Sequence, residues 1–201
     1  LHSFPTRRSS DLSGRASISF AVQEQPRGTS DALASAEQFA GRSGVVMVNA
    51  DNIYSTEDLA ALRTAPRGCW VVGYTREALT ERGNLAPEKV ARMACIQMDA
   101  EMNLARIVEK PPRPEDYAVN GVVYVSMNLF RFSPVVFEAC RKIEPHPARG
   151  EYEITSTVQY IVDNKLDTYK VLLAKGTVLD LSARADISSV RQRLAGRTLS
   201  F

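Results

Sequence analysis

Gly44-Val45-Val46-Met47-Val48-Asn49-Ala50-Asp51-Asn52 decides how the rest of the chain is read. Four apolar residues in a row behind a glycine predict a fully buried strand of a mostly parallel sheet. The run stops on a carboxylate. Ligands of open α/β sheets bind beyond the carboxyl ends of strands, so Asp51 stands where it could hold a cation over a site. A lone strand-end aspartate more commonly caps the turn or helix that follows. Both readings stay open on this stretch alone.

Working outward, residues 16–22 alternate as a strand does, and Pro26 and Gly28 punctuate a loop over residues 23–29. Thr29 or Ser30 can cap a helix whose Ala32, Leu33, Ala36 and Phe39 share a face, with Gly41 ending it. On the other side, Ser55 to Asp58 opens a short helix stopped near Pro66, and residues 69–74 read as another buried strand. This β-α-β-α-β rhythm predicts a layered α/β sheet with parallel neighbours.

The second half changes character. Residues 94–98 and 104–108 predict a hairpin whose loop, with Asp99, Glu101 and Asn103, mimics the start of a calcium loop. It lacks that loop's glycine and terminal Glu, so a plain turn is expected. Residues 122–132 are strand-rich, Pro134 begins a helix, and a further helix carries Val158, Ile161 and Val162. Residues 169–173 and 178–181 read as strands, and Asp186 as the cap of a last helix closed by Gly196.

The totals narrow the function classes. A chain of 201 residues is enough for one sizeable domain. Net charge is +2, of which Arg7, Arg8 and Asp11 supply +1, so no basic stripe marks a nucleic-acid binder. No apolar run approaches the roughly 20 residues of a membrane span. Cys69, Cys95 and Cys140 are odd in number and far apart, which predicts free thiols in a reducing, cytoplasmic compartment. With His2 and His146 the only histidines, chemistry must rest on carboxylates, Lys, Arg and a hard cation. Residues 1–12 back-translate into something like a sequencing-adapter oligonucleotide and are set aside as an assembly scar, leaving 13–201 as the domain.

Five motifs in chain order carry a more specific signal. They are Gln23-x-x-Pro26-x-Gly28-Thr29, Asn49-Ala50-Asp51-Asn52, Glu109-Lys110-Pro111, Arg149-Gly150-Glu151-Tyr152-Glu153-Ile154-Thr155, and Asp180-Leu181-Ser182 with Asp186. Together they resemble the sugar-1-phosphate nucleotidyltransferase family, makers of NDP-sugars, over residues 18–194. The resemblance implies a three-layer, Rossmann-like (GT-A-like) α/β domain on a mixed, mostly parallel sheet. It implies transfer from an NTP, UTP or dTTP favoured, to a sugar 1-phosphate such as glucose 1-phosphate. Mg²⁺ would sit on Asp51 and Asp180, with Asp186 the competing candidate and its position before a helix favouring capping. Gln23, Pro26, Gly28 and Thr29 would meet the base, and Lys110 and Glu109 the sugar phosphate and sugar hydroxyls. Asn128, with Asn120 as an alternative alignment, would replace a sugar-facing turn, and Arg149 and Glu151 rank second. The resemblance leaves room for a homo-oligomer.

One departure matters. The family's glycine-rich G-G-x-G-T-R-like loop and the Pro-Lys segment after it are absent from the 201 residues. Chain order would place them before Ile18, so a missing first β-α unit and an inactive chain are expected. A non-catalytic sugar-nucleotide-binding or regulatory protein is the second hypothesis, and a GT-A glycosyltransferase the third. Glu109-Lys110-Pro111 argues against the last.

Overall fold

The computed structural model describes residues 18–40 and 43–196, so the reading of residues 1–12, the start of the 16–22 segment and Gly41 lie outside the described residues. In chain order the elements are α1 (Thr29–Ser35), α2 (Glu37–Ala40), β1 (Val45–Met47), β2 (Asn52–Tyr54), α3 (Thr56–Thr64) and β3 (Cys69–Thr75). A π-helical turn (Ala78–Arg82) precedes α4 (Pro87–Val90), β4 (Cys95–Met98) and β5 (Leu104–Val108). A 3₁₀ turn (Pro114–Tyr117) leads to β6 (Tyr124–Phe132), α5 (Val135–Cys140), α6 (Ile154–Asp163), β7 (Tyr169–Leu173), β8 (Val178–Asp180) and α7 (Asp186–Leu194).

The six-stranded sheet is organised around β6. Its strand order is β5-β4-β6-β3-β7, with β1 also paired to β6. Strands β1, β3 and β4 all run antiparallel to β6, and β7 runs parallel to β3, so these four point one way. The sheet is therefore mixed and Rossmann-like as expected, but not mostly parallel: β6 lies between strands it opposes, and among the described residues only the β3–β7 ladder is parallel. A separate two-stranded ladder joins β2 to β8 in antiparallel register, Asn52 opposite Asp180.

Both faces of the sheet are covered, which gives the expected three layers. Cys69 and Val71 of β3 face a core with Phe130 and Phe132 of β6, Phe137 of α5 and Val158 and Ile161 of α6. Val72 and Tyr74 face the other way, into a second core with Leu62, Leu79, Val125 and Leu129. The period-2 alternation of β3 serves both cores, which is why its sequence reads as an unbroken apolar run.

Several expectations are corrected. Residues 18–22 form no strand, and Ile18, Phe20 and Val22 are exposed; no ladder partner lies beside them among the described residues. Strand β1 is short rather than fully buried: its described partner is β6, and Val46 and Val48 are about half exposed at 49% and 48%. The helix expected from Thr29 to Gly41 breaks at Ala36 into α1 and α2. Ser35 Oγ bonds back to the Asp31 carbonyl at 2.9 Å, a contact that competes with the helical ladder. Neither Thr29 nor Ser30 caps α1; Gly28 stands at the cap, while Thr29 Oγ1 accepts from Ile154 N–H at 3.0 Å and Ser30 bonds Thr157. Asp186 lies inside α7, with Ala185 at its cap, and its carboxylate accepts the Ala183 N–H at 2.8 Å. The hairpin loop is a plain turn in which Asp99 accepts from Asn103. The expected helix after Ser55 is present, with Ser55 Oγ accepting from Glu57 and Asp58 N–H.

Candidate functional site

The β2–β8 ladder makes neighbours of two strand ends that lie far apart in the chain. Leu181 N–H donates to the Asp51 carbonyl at 2.8 Å, just beyond the Asn52–Asp180 pair, so both aspartates line one cleft of about 360 Å³. Asp51 is exposed, whereas Asp180 is buried and fully bonded. Its Oδ1 accepts from Asn52 Nδ2 at 3.0 Å; its Oδ2 accepts from Ser182 Oγ at 2.7 Å and from Lys89 Nζ. Asn84 brackets its backbone, accepting the Asp180 N–H at 2.7 Å and donating to its carbonyl at 2.8 Å. Burial pushes the Asp180 carboxyl up, but the bonds from Lys89, Ser182 and Asn52 outweigh it and hold it below the usual range.

Asn128 owes its place to a bulge in β6. The register against β3 shifts between Val71 and Gly73, leaving three residues of β6, centred on Asn128, facing one of β3. Asn128 takes φ of 56°, a left-handed backbone that Asn tolerates better than most residues, and Ser126 Oγ accepts its N–H at 3.1 Å. A chain of amides then runs Asn128–Asn49–Asn52–Asp180, and Tyr54 Oη ties it to the Met127 carbonyl at 2.7 Å. Asn120 sits instead at a tight turn, with Val119 and Val122 exchanging backbone bonds and Gly121 also left-handed.

Glu109, Lys110 and Asn128 line both this cleft and an adjoining one of about 460 Å³. Lys110 Nζ lies 3.6 Å from Glu109 Oε1, and its own backbone is left-handed at φ 45°. Burial raises the Glu109 carboxyl, with Lys110 opposing. The second cleft gathers Gln23, Pro26, Gly28, Thr29 and Glu151. Gln23 Nε2 is committed inward, to the Gly28 carbonyl at 3.0 Å and Asp31 at 2.8 Å, while its Oε1 makes no bond among the described residues. Gly28 has φ of 111°, and a Cβ there would stand 2.6 Å from the Tyr152 carbonyl oxygen. Its glycine is required by this packing: Tyr152 N–H donates to Arg27 and the Tyr152 carbonyl accepts from Ser30, stitching the 23–29 loop to the 149–155 segment. Arg149 does not line either cleft; its guanidinium grips Glu153, which does line the second.

Sequence reasoning missed Lys89 and Asn84, and it quoted Ser182 and Glu153 within motifs without giving either a role. Glu153 stands four residues from Arg149, a spacing that could have shown the pair. Lys89 lies in a stretch without hydrophobic period and gave no signal. A larger cavity of about 920 Å³ lies by β1, but its Arg131 is spent on the Leu62 and Ala65 carbonyls, and it holds none of the motif residues.

Asp51 and Asp180 suit Mg²⁺ by number and type: a hard cation bound through one or two carboxylates, the other ligands being phosphate oxygens and water. Among the described residues no cluster of three or more His, Cys, Asp or Glu supplies a fuller protein cage.

Comparison with known proteins bears on the family and the fold. The profile described as nucleotidyl transferase matches residues 6–181. A glucose-1-phosphate thymidylyltransferase of Actinoplanes sp. is 32% identical over 175 residues, covering 84% of this chain and 51% of the relative. A low-salt glycan biosynthesis nucleotidyltransferase of Haloferax volcanii is 27% identical over 147 residues, 73% of this chain and 37% of its own length. The crystal structure of a Bacillus anthracis protein assigned by name as a glucose-1-phosphate thymidylyltransferase superposes with TM-score 0.65 at 18% identity, over 89% of this chain and 65% of that one, a likeness of fold. The chain thus spans about half or less of the length of these curated relatives.

Proposed function

The chain belongs to the nucleotidyl transferase family, and from that premise we propose that its two clefts serve the joining of an NTP to a sugar 1-phosphate. A phosphate oxygen of the sugar attacks the α-phosphorus, the bond to the β-phosphate breaks, and pyrophosphate leaves with the NDP-sugar as product. Both reactants are anions, so the site must neutralise charge and hold them in line. Asp51 and Asp180 would hold Mg²⁺, which would supply part of that neutralisation. The chain's own residues orient the partners. Lys110 meets the sugar phosphate as a compact cation, Glu109 accepts from sugar hydroxyls, and Asn128 lies between the clefts.

With its Nε2 committed inward, the Gln23 Oε1 is left as an acceptor, which suits a donor on the base edge such as the ring N–H of uracil or thymine. UTP or dTTP fits this acceptor, and the names of the thymidylyltransferase relatives favour the same bases with glucose 1-phosphate as the sugar. The three free, buried thiols suit a reducing cytoplasm.

The observation that carries this reading is that the end of the β2–β8 ladder, where Asn52 pairs with Asp180 and Leu181 N–H donates to the Asp51 carbonyl, brings both aspartates to one cleft that shares its walls with the Gln23 cleft. Calorimetric titration with UDP-glucose and dTDP-glucose in Mg²⁺ tests it. Binding is expected, weakened about tenfold in Lys110→Ala; no binding of either sugar nucleotide would sink it. Because no Gly-Gly-x-Gly run occurs in the 201 residues, little pyrophosphate release is expected from this chain with UTP or dTTP and glucose 1-phosphate. Robust pyrophosphate release would eliminate the second reading, a sugar-nucleotide-binding protein without turnover.

A further inference from the structure

Asp180 is paired in a way its proposed metal role does not require. Lys89 comes from the one-turn helix α4, entered through Pro87, and its Nζ donates to Asp180 Oδ2 and to Ser182 Oγ, the latter at 2.6 Å. Ser182 Oγ donates to the same Oδ2, and Asn52 holds Oδ1. The aspartate side chain is only 8% exposed, whereas that of Lys89 is 44% exposed. A carboxylate so buried is costly without a counter-charge, and Lys89 is the cation in contact with it among the described residues. Its half-exposed stem leaves it free to swing into solvent without unpacking a core.

We propose that Lys89 is a tethered cation that holds Asp180 in the ion-free cleft and is displaced when a divalent ion docks there. The inference rests on the proposed metal role of Asp51 and Asp180. A divalent ion needs a carboxylate oxygen at close range, and an ammonium on Oδ2 both fills that direction and repels the incoming charge. Displacement leaves the Lys89 ammonium at the mouth of a cleft shared with Arg92 and Lys110. There it can meet an incoming phosphate, so cation docking and anion capture become linked steps.

Mn²⁺ titration of the full chain without nucleotide, read by the electron paramagnetic resonance of the free ion, tests the proposal. Lys89→Met is expected to tighten Mn²⁺ about fivefold, as removal of a part-exposed competing charge would. Asp180→Asn should weaken Mn²⁺ and abolish that gain, the double variant matching Asp180→Asn alone. Unchanged or weaker Mn²⁺ binding in Lys89→Met, with Asp180→Asn still weakening it, overturns the role of Lys89 and spares the metal reading. Wild-type Mn²⁺ binding in Asp180→Asn overturns both. A second readout needs no folded Lys89→Met. In reductively methylated wild-type chain, the isotope-labelled Lys89 resonance, assigned by its loss in Lys89→Arg, should move toward those of exposed lysines on saturation with Mg²⁺. A resonance that stays in place overturns the proposal.

Discussion

At the scale of single residues, the candidate site combines strained backbone with a costly burial, and each has a measurable signature. Gly28→Ala must drive a Cβ toward the Tyr152 carbonyl from a left-handed backbone, and should cost about 1–3 kcal/mol in urea unfolding. The same variant should lose sugar-nucleotide affinity, because the 23–29 loop is held in place through Tyr152. Glu109 behaves oppositely. Burial raises its folded carboxyl above the unfolded value, so its ionisation opposes folding as pH rises through the folded value. Below the unfolded value, about pH 4, the group is neutral in both states and the penalty is absent. Glu109→Gln should therefore be more stable than wild type at pH 7, with the advantage fading near pH 4, while sugar-nucleotide binding weakens. Denaturant melts at the two pH values check the sign. Gln23 and Gly28 were legible as loop residues from Pro26 and glycine punctuation. That Gly28 packs on Tyr152, rather than only admitting a base, was not, because nothing local in the sequence brings residues so far apart into contact.

At the scale of elements, the bulge of β6 is the device that turns a core strand into a wall of the site. Phe130 and Phe132 pack in the core beyond it, while Ser126 and Asn128 line the cleft. Asn128→Gly should be tolerated or slightly stabilising, since glycine adopts the left-handed backbone freely. Asn128→Val should lose about 1–2 kcal/mol, because a β-branched residue tolerates the left-handed backbone far less well than Asn. Equal stabilities in thermal melts would show that the bulge has relaxed in one of them. Most elements were legible because their apolar period survives in the sequence: β3, β5, β7 and α6 fall close to the expected spans. Strand direction was not, because pairing with β6 is decided by residues about 85 positions away from β1 and leaves no mark on the Val45–Met47 run itself.

At the scale of the whole molecule, the apolar surface is unevenly distributed. Strand β1 pairs with β6 on one side, and Val46 and Val48 stand about half exposed, as do Ile18 and Phe39, with Phe20 and Val22 more so. Such a strand edge is a template for association between chains. Val46→Lys should lower concentration-dependent light scattering without lowering the melting temperature by more than a few degrees. The order of the five motifs was legible and carried the family; the lysine that neutralises one of its carboxylates was not, since a single cation without period has no sequence signature. The β2–β8 ladder carries a further consequence, for the timing of folding. Asn52 and Asp180 are 128 positions apart, so closing their ladder pins nearly two thirds of the chain into one loop. Contacts of such separation form slowly, and a chain still emerging from synthesis has no second carboxylate to offer. At the proposed metal site, affinity for a divalent ion would then be a late arrival, present only once the domain has closed on itself, and a ligand that bridges the two strands would select the finished molecule over every earlier form.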